Sequence, residues 1–169
     1  MSKPANTGGT RALKERLKSK QQRTKSSKAW LERQLNDPYV RAAKAQGFRS
    51  RAAYKLKEMD DKYHFLKRGM KVVDLGAAPG GWTQVLVERC GEGNVLGVDL
   101  QPMDPMEGAV LLELNFMDDA APAIIREKMS GAVNAVVSDM AAPATGHRET
   151  DHLRIMGLCE AALEFACDV

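Results

Sequence analysis

The residues best suited to chemistry in this sequence form a glycine-rich turn between an apolar run and a helix. Residues 72–75 read Val-Val-Asp-Leu, which is typical of a buried strand, and residues 76–82 read Gly-Ala-Ala-Pro-Gly-Gly-Trp. Because glycine has no Cβ atom, such a turn can pack closely against a ligand. A helix that begins there presents unpaired N–H groups to a phosphate or a carboxylate. The segment therefore predicts a nucleotide-type cofactor site, unless it is a turn that only connects two elements.

The spacing of the glycines argues against a nicotinamide dinucleotide. The dinucleotide fingerprint is Gly-x-Gly-x-x-Gly, whereas this turn reads Gly-x-x-x-Gly-Gly with Pro79 inside it. The next apolar run, residues 94–99, ends in Asp99. An acid about twenty residues beyond the glycines of an open α/β sheet accepts hydrogen bonds from ribose hydroxyls. We therefore expect a crevice for a nucleoside-containing cofactor other than NAD.

The elements that must position these residues alternate between strands and helices. Apolar runs predict strands at residues 72–75, 94–99, 110–114 and 132–138. Caps, prolines and helical periodicity predict helices at residues 38–46, 51–61, 83–89, 122–129 and 149–168. Such alternation favours parallel pairing through right-handed crossovers, so we expect an α/β fold whose sheet has the strand order 3-2-1-4.

Four polar residues follow the predicted strands closely. They are Asp74, Asp99, Asn115 and Asp139. In a parallel sheet the carboxyl ends of the strands share one edge, and ligands bind in the crevice there. The sequence therefore predicts that these side chains converge on one site.

Helical periodicity also predicts which helix faces are buried. In the helix at residues 51–61, Ala52, Leu56 and Met59 define an apolar face, and Lys55 lies beside it. The predicted apolar face of the C-terminal helix consists of Leu153, Met156, Cys159, Leu163 and Ala166. Both faces are expected to pack against the sheet.

Three segments taken together resemble one family. They read Asp-Leu-Gly-Ala-Ala-Pro-Gly-Gly-Trp at residues 74–82, Asp-Leu-Gln-Pro-Met-Asp-Pro at residues 99–105 and Ser-Asp-Met-Ala at residues 138–141. The sequence from about residue 27 onward is similar to the bacterial FtsJ/RrmJ-type ribosomal RNA 2′-O-methyltransferases, the RlmE family. The resemblance implies a Rossmann-like methyltransferase fold with a mostly parallel sheet, and S-adenosylmethionine as cofactor. The acceptor that it implies is a ribose 2′-hydroxyl of a uridine in 23S rRNA of the large ribosomal subunit.

The resemblance also implies two catalytic residues. Residues 51–56, Arg-Ala-Ala-Tyr-Lys-Leu, match the family segment that carries a lysine, and this makes Lys55 the group that orients the acceptor hydroxyl. Asp139 matches the family's aspartate, which lies beside the transferred methyl group. Without the resemblance, an exposed helical lysine is the favoured interpretation of Lys55, and a cap at the end of a strand is the alternative for Asp139.

The cofactor contacts implied by the resemblance are carried over residue by residue. They are Gly80, Trp82, Asp99, Asn115 and Asp139. Asn115 departs from the aspartate usual in the family, but an amide both donates and accepts hydrogen bonds and so can still bind adenine. Trp82 has an alternative interpretation as an ordinary core residue.

Charge is distributed unevenly along the chain. The net charge is +3, yet residues 1–57 contain 16 Lys and Arg against 3 Asp and Glu, so the remainder is acidic. Residues 1–28 have the composition of a disordered basic arm, and residues 29–169 form the predicted methyltransferase domain. We expect this basic half, with Arg49 and Arg51, to contact RNA phosphates.

Cysteine usage and hydropathy predict the setting of the protein. Cys90, Cys159 and Cys167 show no metal-binding spacing with one another or with the histidines, so we expect no metal. The sequence contains neither a signal peptide nor an apolar run long enough to cross a membrane. These features favour a reduced, cytoplasmic monomer that makes no membrane contact.

The last helix of the predicted fold should lead into a fifth strand, which the sequence does not contain. The family's second lysine, its general base, and its glutamate belong to that segment. We therefore expect a C-terminally truncated chain that is inactive alone. Alternatives that the residues leave open are a non-catalytic module that binds cofactor and RNA, a tRNA 2′-O-methyltransferase and a small-molecule methyltransferase.

Overall fold

The computed structural model describes residues 36–169, so the predicted basic arm and residues 29–35 lie outside the described residues. The helices are α1 (Pro38–Ala45), α2 (Ala52–Tyr63), α3 (Gly81–Cys90), α4 (Ala121–Lys128) and α5 (Arg148–Asp168). The strands are β1 (Val72–Leu75), β2 (Val95–Asp99), β3 (Ala109–Glu113) and β4 (Ala135–Ser138). Each predicted element is present, with ends that differ by at most three residues.

The four strands form one parallel sheet in the order β3-β2-β1-β4, which confirms the predicted topology. The chain builds outward from β1 through β2 to β3, and then crosses back to place β4 on the other side of β1. A crevice forms outside the carboxyl ends of the strands at such a reversal, between β1 and β4. Asp74 lies at the centre of the sheet, in register with Gly97 and Val137.

Helices cover both faces of the sheet. On one face α2 and α3 bury Leu56, Val85 and Leu86 against the strands. On the other face α4 and α5 contribute Ile125 and Phe165 to a second cluster. A parallel sheet needs cover on both faces, because its central strands are apolar on both sides.

Local chemistry explains where α1 begins. The carboxylate of Asp37 accepts a hydrogen bond from Tyr39 N at 2.9 Å, and Pro38 occupies the first helical turn, where its missing N–H costs nothing.

The apolar face predicted for α2 was wrong in part. In α2 the buried positions are Ala53, Leu56 and Asp60, whereas Met59 is 38% exposed. Asp60 is buried because its carboxylate accepts a hydrogen bond from Leu66 N at 2.9 Å and pairs with Arg89. The hydrogen bond and the ion pair of Asp60 therefore determine which side of this helical turn is buried. A pattern of apolar residues does not reveal such polar contacts.

The apolar face predicted for α5 is wrong. Leu153, Met156, Cys159, Leu163 and Ala166 are all exposed, and the residue that is buried is Phe165. The Phe165 ring packs edge-on against Phe116, with 5.9 Å between the ring centroids. Apolar residues occur almost all round this helix, so helical periodicity does not single out one face. The contact of Phe165 with Phe116 determines which face is packed.

The packing of α2 predicts different costs for two substitutions on the same helix. Leu56→Ala removes a fully buried side chain and should lower the free energy of unfolding by about 2–5 kcal/mol. Met59→Ala removes a partly exposed side chain and should cost under about 1 kcal/mol. Urea unfolding followed by circular dichroism measures both values, and equal losses would contradict the described orientation of α2.

Candidate active site

The glycine turn lets two loops approach each other at the carboxyl edge of the sheet. Gly76 has a φ of 73°, and a Cβ atom on this residue would overlap the Met140 side chain in the loop after β4. Gly80 has a φ of 106° and begins α3, and a Cβ atom there would lie 2.7 Å from Met106 Cε. Both positions therefore require glycine for conformation and for space.

Asp99 joins the glycine turn to the loop after β2. One carboxylate oxygen accepts a hydrogen bond from Ala78 N at 2.9 Å, and the other accepts one from Gln101 N at 2.8 Å. A carboxylate has about four lone-pair sites, so each oxygen can still accept a further hydrogen bond. Asp99 can thus fix the turn and bind hydroxyl groups of a ligand at the same time.

A cavity of about 550 Å³ opens at this edge of the sheet. Its polar lining includes Asp99, Asn115 and Asp139, which the sequence predicted to converge. Phe116 and Leu158 supply apolar lining, and the volume is typical of a site for a nucleoside-sized ligand. The charged lining residues are two aspartates and Arg154.

Asn115 holds the loop after β3 and lines the same cavity. Its amide nitrogen donates to Asp118 Oδ1 at 2.8 Å, and its amide oxygen accepts from Met117 N at 3.2 Å. This arrangement places a side chain that both donates and accepts hydrogen bonds at the cavity wall.

The other two predicted cofactor contacts lie outside this cavity. Gly80 lies against Met106 and Arg49, and Trp82 belongs to the core beneath α2, only 6% exposed. The Trp82 indole N–H donates to Ala52 O at 2.8 Å, which ties α3 to α2. The core interpretation of Trp82 is therefore the one that the geometry favours.

Lys55 and Asp139 form an ion pair, although 84 residues separate them in sequence. Lys55 comes from α2 and Asp139 follows β4. The Lys55 ammonium also lies 5.6 Å from the centroid of the Trp82 ring, within the range of a cation–π contact. The structure thus brings together the two residues that the resemblance identifies as catalytic.

Asp74 lies beneath the glycine turn and not in the cavity. It is 1% exposed, and it accepts a hydrogen bond from the Thr83 hydroxyl at 2.7 Å. Burial raises the pKa of Asp74 to about 7, an effect that the Thr83 hydrogen bond opposes and that the nearby Asp139 and Asp99 charges increase. Of the four polar residues predicted at strand ends, Asp74 is the one that does not line the cavity, and its carboxyl group instead bonds to Thr83 in α3.

Arg49 has a structural task that the sequence did not reveal. Its guanidinium donates to Asp104 O at 2.8 Å, to Pro105 O at 2.6 Å and to Pro79 O at 3.4 Å. Arg49 therefore fastens the loop after β2 to the glycine turn. The acceptors of Arg49 are backbone carbonyls, which no residue pattern in the sequence indicates.

Arg51 forms an ion pair with Asp37. Both arginines that were expected to contact phosphates therefore have partners within the protein.

Across residues 36–169, none of the helices combines the length and the apolar composition that a bilayer crossing needs. The same part of the chain contains no cluster of three or more His, Cys, Asp or Glu side chains arranged to hold a metal ion.

Comparison with known proteins identifies the family. The sequence model of the FtsJ-like methyltransferases matches residues 48–169, which include the glycine turn, Asp99, Asn115 and the Lys55–Asp139 pair. The chain belongs to the FtsJ-like methyltransferase family. This confirms the resemblance read from the three motifs, and the enzymes of the family are methyltransferases.

Individual relatives agree with this assignment. A protein of Parvibaculum lavamentivorans named ribosomal RNA large subunit methyltransferase E is 54% identical, with 96% of this chain and 68% of the relative covered. A protein of the same name from Afipia carboxidovorans is 57% identical, with 90% and 70% covered. A Plasmodium falciparum structure described as a ribosomal RNA methyltransferase superposes with a TM-score of 0.63 at 31% identity, covering 70% of each chain.

The buried carboxyl of this FtsJ-like domain makes its stability depend on pH. Between pH values of about 4 and about 7 the unfolded chain releases the Asp74 proton, whereas the folded protein keeps it. The free energy of unfolding should therefore fall as pH rises through this range. The Asp74→Asn variant has no such proton to release, so its stability relative to the wild type should increase by on the order of a few kcal/mol between pH 4 and pH 7.

Urea unfolding at pH 5 and pH 7.5 measures this difference. Asp119→Asn, at an exposed position, is the matched control and should follow the wild-type pH dependence. Identical pH dependence in the wild type and Asp74→Asn would contradict the raised pKa.

Proposed function

We propose that this protein transfers a methyl group from S-adenosylmethionine to a ribose 2′-hydroxyl of large-subunit ribosomal RNA, with a uridine of 23S rRNA as the acceptor nucleoside. The observation that carries the proposal is the Lys55–Asp139 ion pair, because it lies at the wall of the cavity formed by the carboxyl ends of the strands. The relatives named ribosomal RNA large subunit methyltransferase E support the choice of RNA.

The charge of the cavity favours S-adenosylmethionine over a dinucleotide. Asp99 and Asp139 line the cavity against a single arginine, Arg154. A sulfonium and an ammonium group are attracted by such carboxylates, whereas a pyrophosphate is repelled. S-adenosylmethionine supplies an activated methyl group on its sulfonium when bound.

Three residues of this chain are assigned to hold the cofactor. Asp99 accepts hydrogen bonds from the ribose hydroxyls with the lone pairs left free by Ala78 and Gln101. Asn115 offers an amide to the adenine, and Asp139 attracts the positive end of the cofactor. Trp82 and Gly80 are not retained as contacts, because they lie outside the cavity.

Lys55 orients the acceptor in this proposal. The Lys55 ammonium donates a hydrogen bond to a ribose oxygen and stabilises negative charge that develops there. Asp139 fixes the position of the Lys55 ammonium through the ion pair. Alignment of hydroxyl and donor then supplies much of the rate enhancement, since the methyl group is already activated. Methyl transfer would release the proton of the hydroxyl, and the group that would accept it is the second lysine that the resemblance implies, which lies outside this sequence.

Calorimetry tests the cofactor assignment. S-adenosylmethionine should bind, and NADH should not. Asp99→Ala should weaken S-adenosylmethionine binding at least about tenfold, because hydrogen bonds to a charged group are lost. Asp119→Ala, outside the cavity, should bind as the wild type does. Binding of NADH in place of S-adenosylmethionine would refute the assignment.

Methyl transfer tests the ion pair. In the full-length protein encoded by the gene, Lys55→Ala and Asp139→Ala should each lower kcat on large-subunit rRNA by about 10²-fold, and Lys55→Ala should leave cofactor affinity nearly unchanged. Lys57→Ala is the matched control, since Lys57 lies on the same helix and pairs with Glu88. The rate of tritium transfer from labelled S-adenosylmethionine is the measurement.

Mapping of 2′-O-methyl groups in rRNA from cells with and without the gene identifies the acceptor. One 2′-O-methylated uridine of 23S rRNA should disappear. Loss of a methyl group from tRNA alone, or from a base and not a ribose, would overturn the proposed acceptor.

A further inference from the structure

A second concave surface, the tyrosine groove, lies on the outer side of the domain. Helices α1 and α2 form it, and it encloses about 460 Å³. Its lining includes Tyr39, Lys55, Glu58, Lys62 and Tyr63. Nothing in the cofactor assignment uses this groove.

The groove and the cofactor cavity meet at the ion pair. Lys55 lines the groove and Asp139 lines the cavity, and neither residue lines both. The ion pair between them thus lies where the two concave surfaces meet. A methyl donor bound in the cavity and an acceptor that enters from the groove would meet at this pair.

The lining of the groove suits a nucleic-acid base. Tyr39 and Tyr63 expose 53% and 65% of their surface, so much of each residue is accessible to a ligand, although one side of the Tyr39 ring packs against Tyr54 with 5.7 Å between the ring centroids. Unpaired RNA bases stack on such rings. Lys62 Nζ lies 4.9 Å from the centroid of the Tyr63 ring, and the groove contains two lysines against the single Glu58. Aromatic faces beside positive charge match the chemistry of a base and its phosphate.

We propose that the tyrosine groove binds an unpaired RNA base adjacent to the methylated ribose, by stacking on Tyr63 and Tyr39, while Lys62 contacts a neighbouring phosphate. This inference rests on the proposed function, because it takes Lys55 as the position of the acceptor hydroxyl. A base inside a duplex cannot present its face to a side chain, so the acceptor strand must be locally single-stranded.

Tyr63 provides the cleanest test. It is the last residue of α2 and its ring is mostly exposed, so its removal leaves the core intact. Tyr63→Ala should raise the KM for large-subunit rRNA and the Kd for a labelled single-stranded oligouridylate about tenfold, the loss expected for one stacked base. S-adenosylmethionine affinity and kcat should remain near wild type. Tyr63→Phe should bind RNA normally, because the ring and not the hydroxyl makes the contact.

Lys62 has a matched control on the opposite face of the sheet. Lys62→Ala should weaken RNA binding and lower the slope of log affinity against log salt by about one, as for a lost phosphate contact. Lys128→Ala removes an exposed lysine of α4, and the slope should not change.

The outcomes separate this inference from the proposed function. If Tyr63→Ala and Tyr39→Ala both transfer methyl groups to rRNA with unchanged KM and Kd, the proposal that the tyrosine groove binds an RNA base is refuted. The proposed function is then unaffected. Absence of transfer to any rRNA by the full-length wild-type protein would instead overturn the proposed function. An equal loss of affinity in Tyr63→Phe and Tyr63→Ala would also refute stacking.

Discussion

The close approach of two loops at Gly76 is the constraint on which the site depends. A side chain here would displace Met140, and with it the segment after β4 that carries Asp139. The next residue but one, Ala78, donates its N–H to Asp99 at the end of β2. The turn after β1 thus sets the positions of the residues that follow β2 and β4. Without a glycine at the reversal of strand order, the carboxylates could not line one cavity.

The acids gathered at this edge carry an electrostatic cost. Burial, and to a smaller extent the nearby Asp139 and Asp99 charges, raise the pKa of Asp74 to about 7. Like charges in a poorly solvated region disfavour ionisation, so one carboxyl keeps its proton more readily. A cationic ligand relieves the same repulsion. The arrangement therefore selects for positive charge in the cavity while the Thr83 hydroxyl satisfies the carboxyl behind it.

The sequence was sufficient for the topology because every strand is a short apolar run and helices follow β1, β3 and β4. It also placed Asp99, Asn115 and Asp139 in one site, since strand ends of a parallel sheet share an edge. It failed where tertiary contacts decide. Met59 is displaced from the core by the bonds of Asp60, and Arg49 binds main-chain oxygens that no residue pattern encodes. Trp82 could not be placed by its type, because core and ligand-binding tryptophans look alike in a sequence.

The ion pair between Lys55 and Asp139 is poorly suited to a purely structural task. The two side chains are 59% and 32% exposed, and ion pairs of such exposure contribute about 0–1 kcal/mol to stability. The attachment of α2 comes instead from Leu56 and from the Trp82 hydrogen bond to Ala52. These contacts hold the helix firmly while the Lys55 ammonium stays accessible between the cavity and the tyrosine groove. The pair therefore adds little to folding, and it lies where the two concave surfaces meet, as the proposed transfer between them requires.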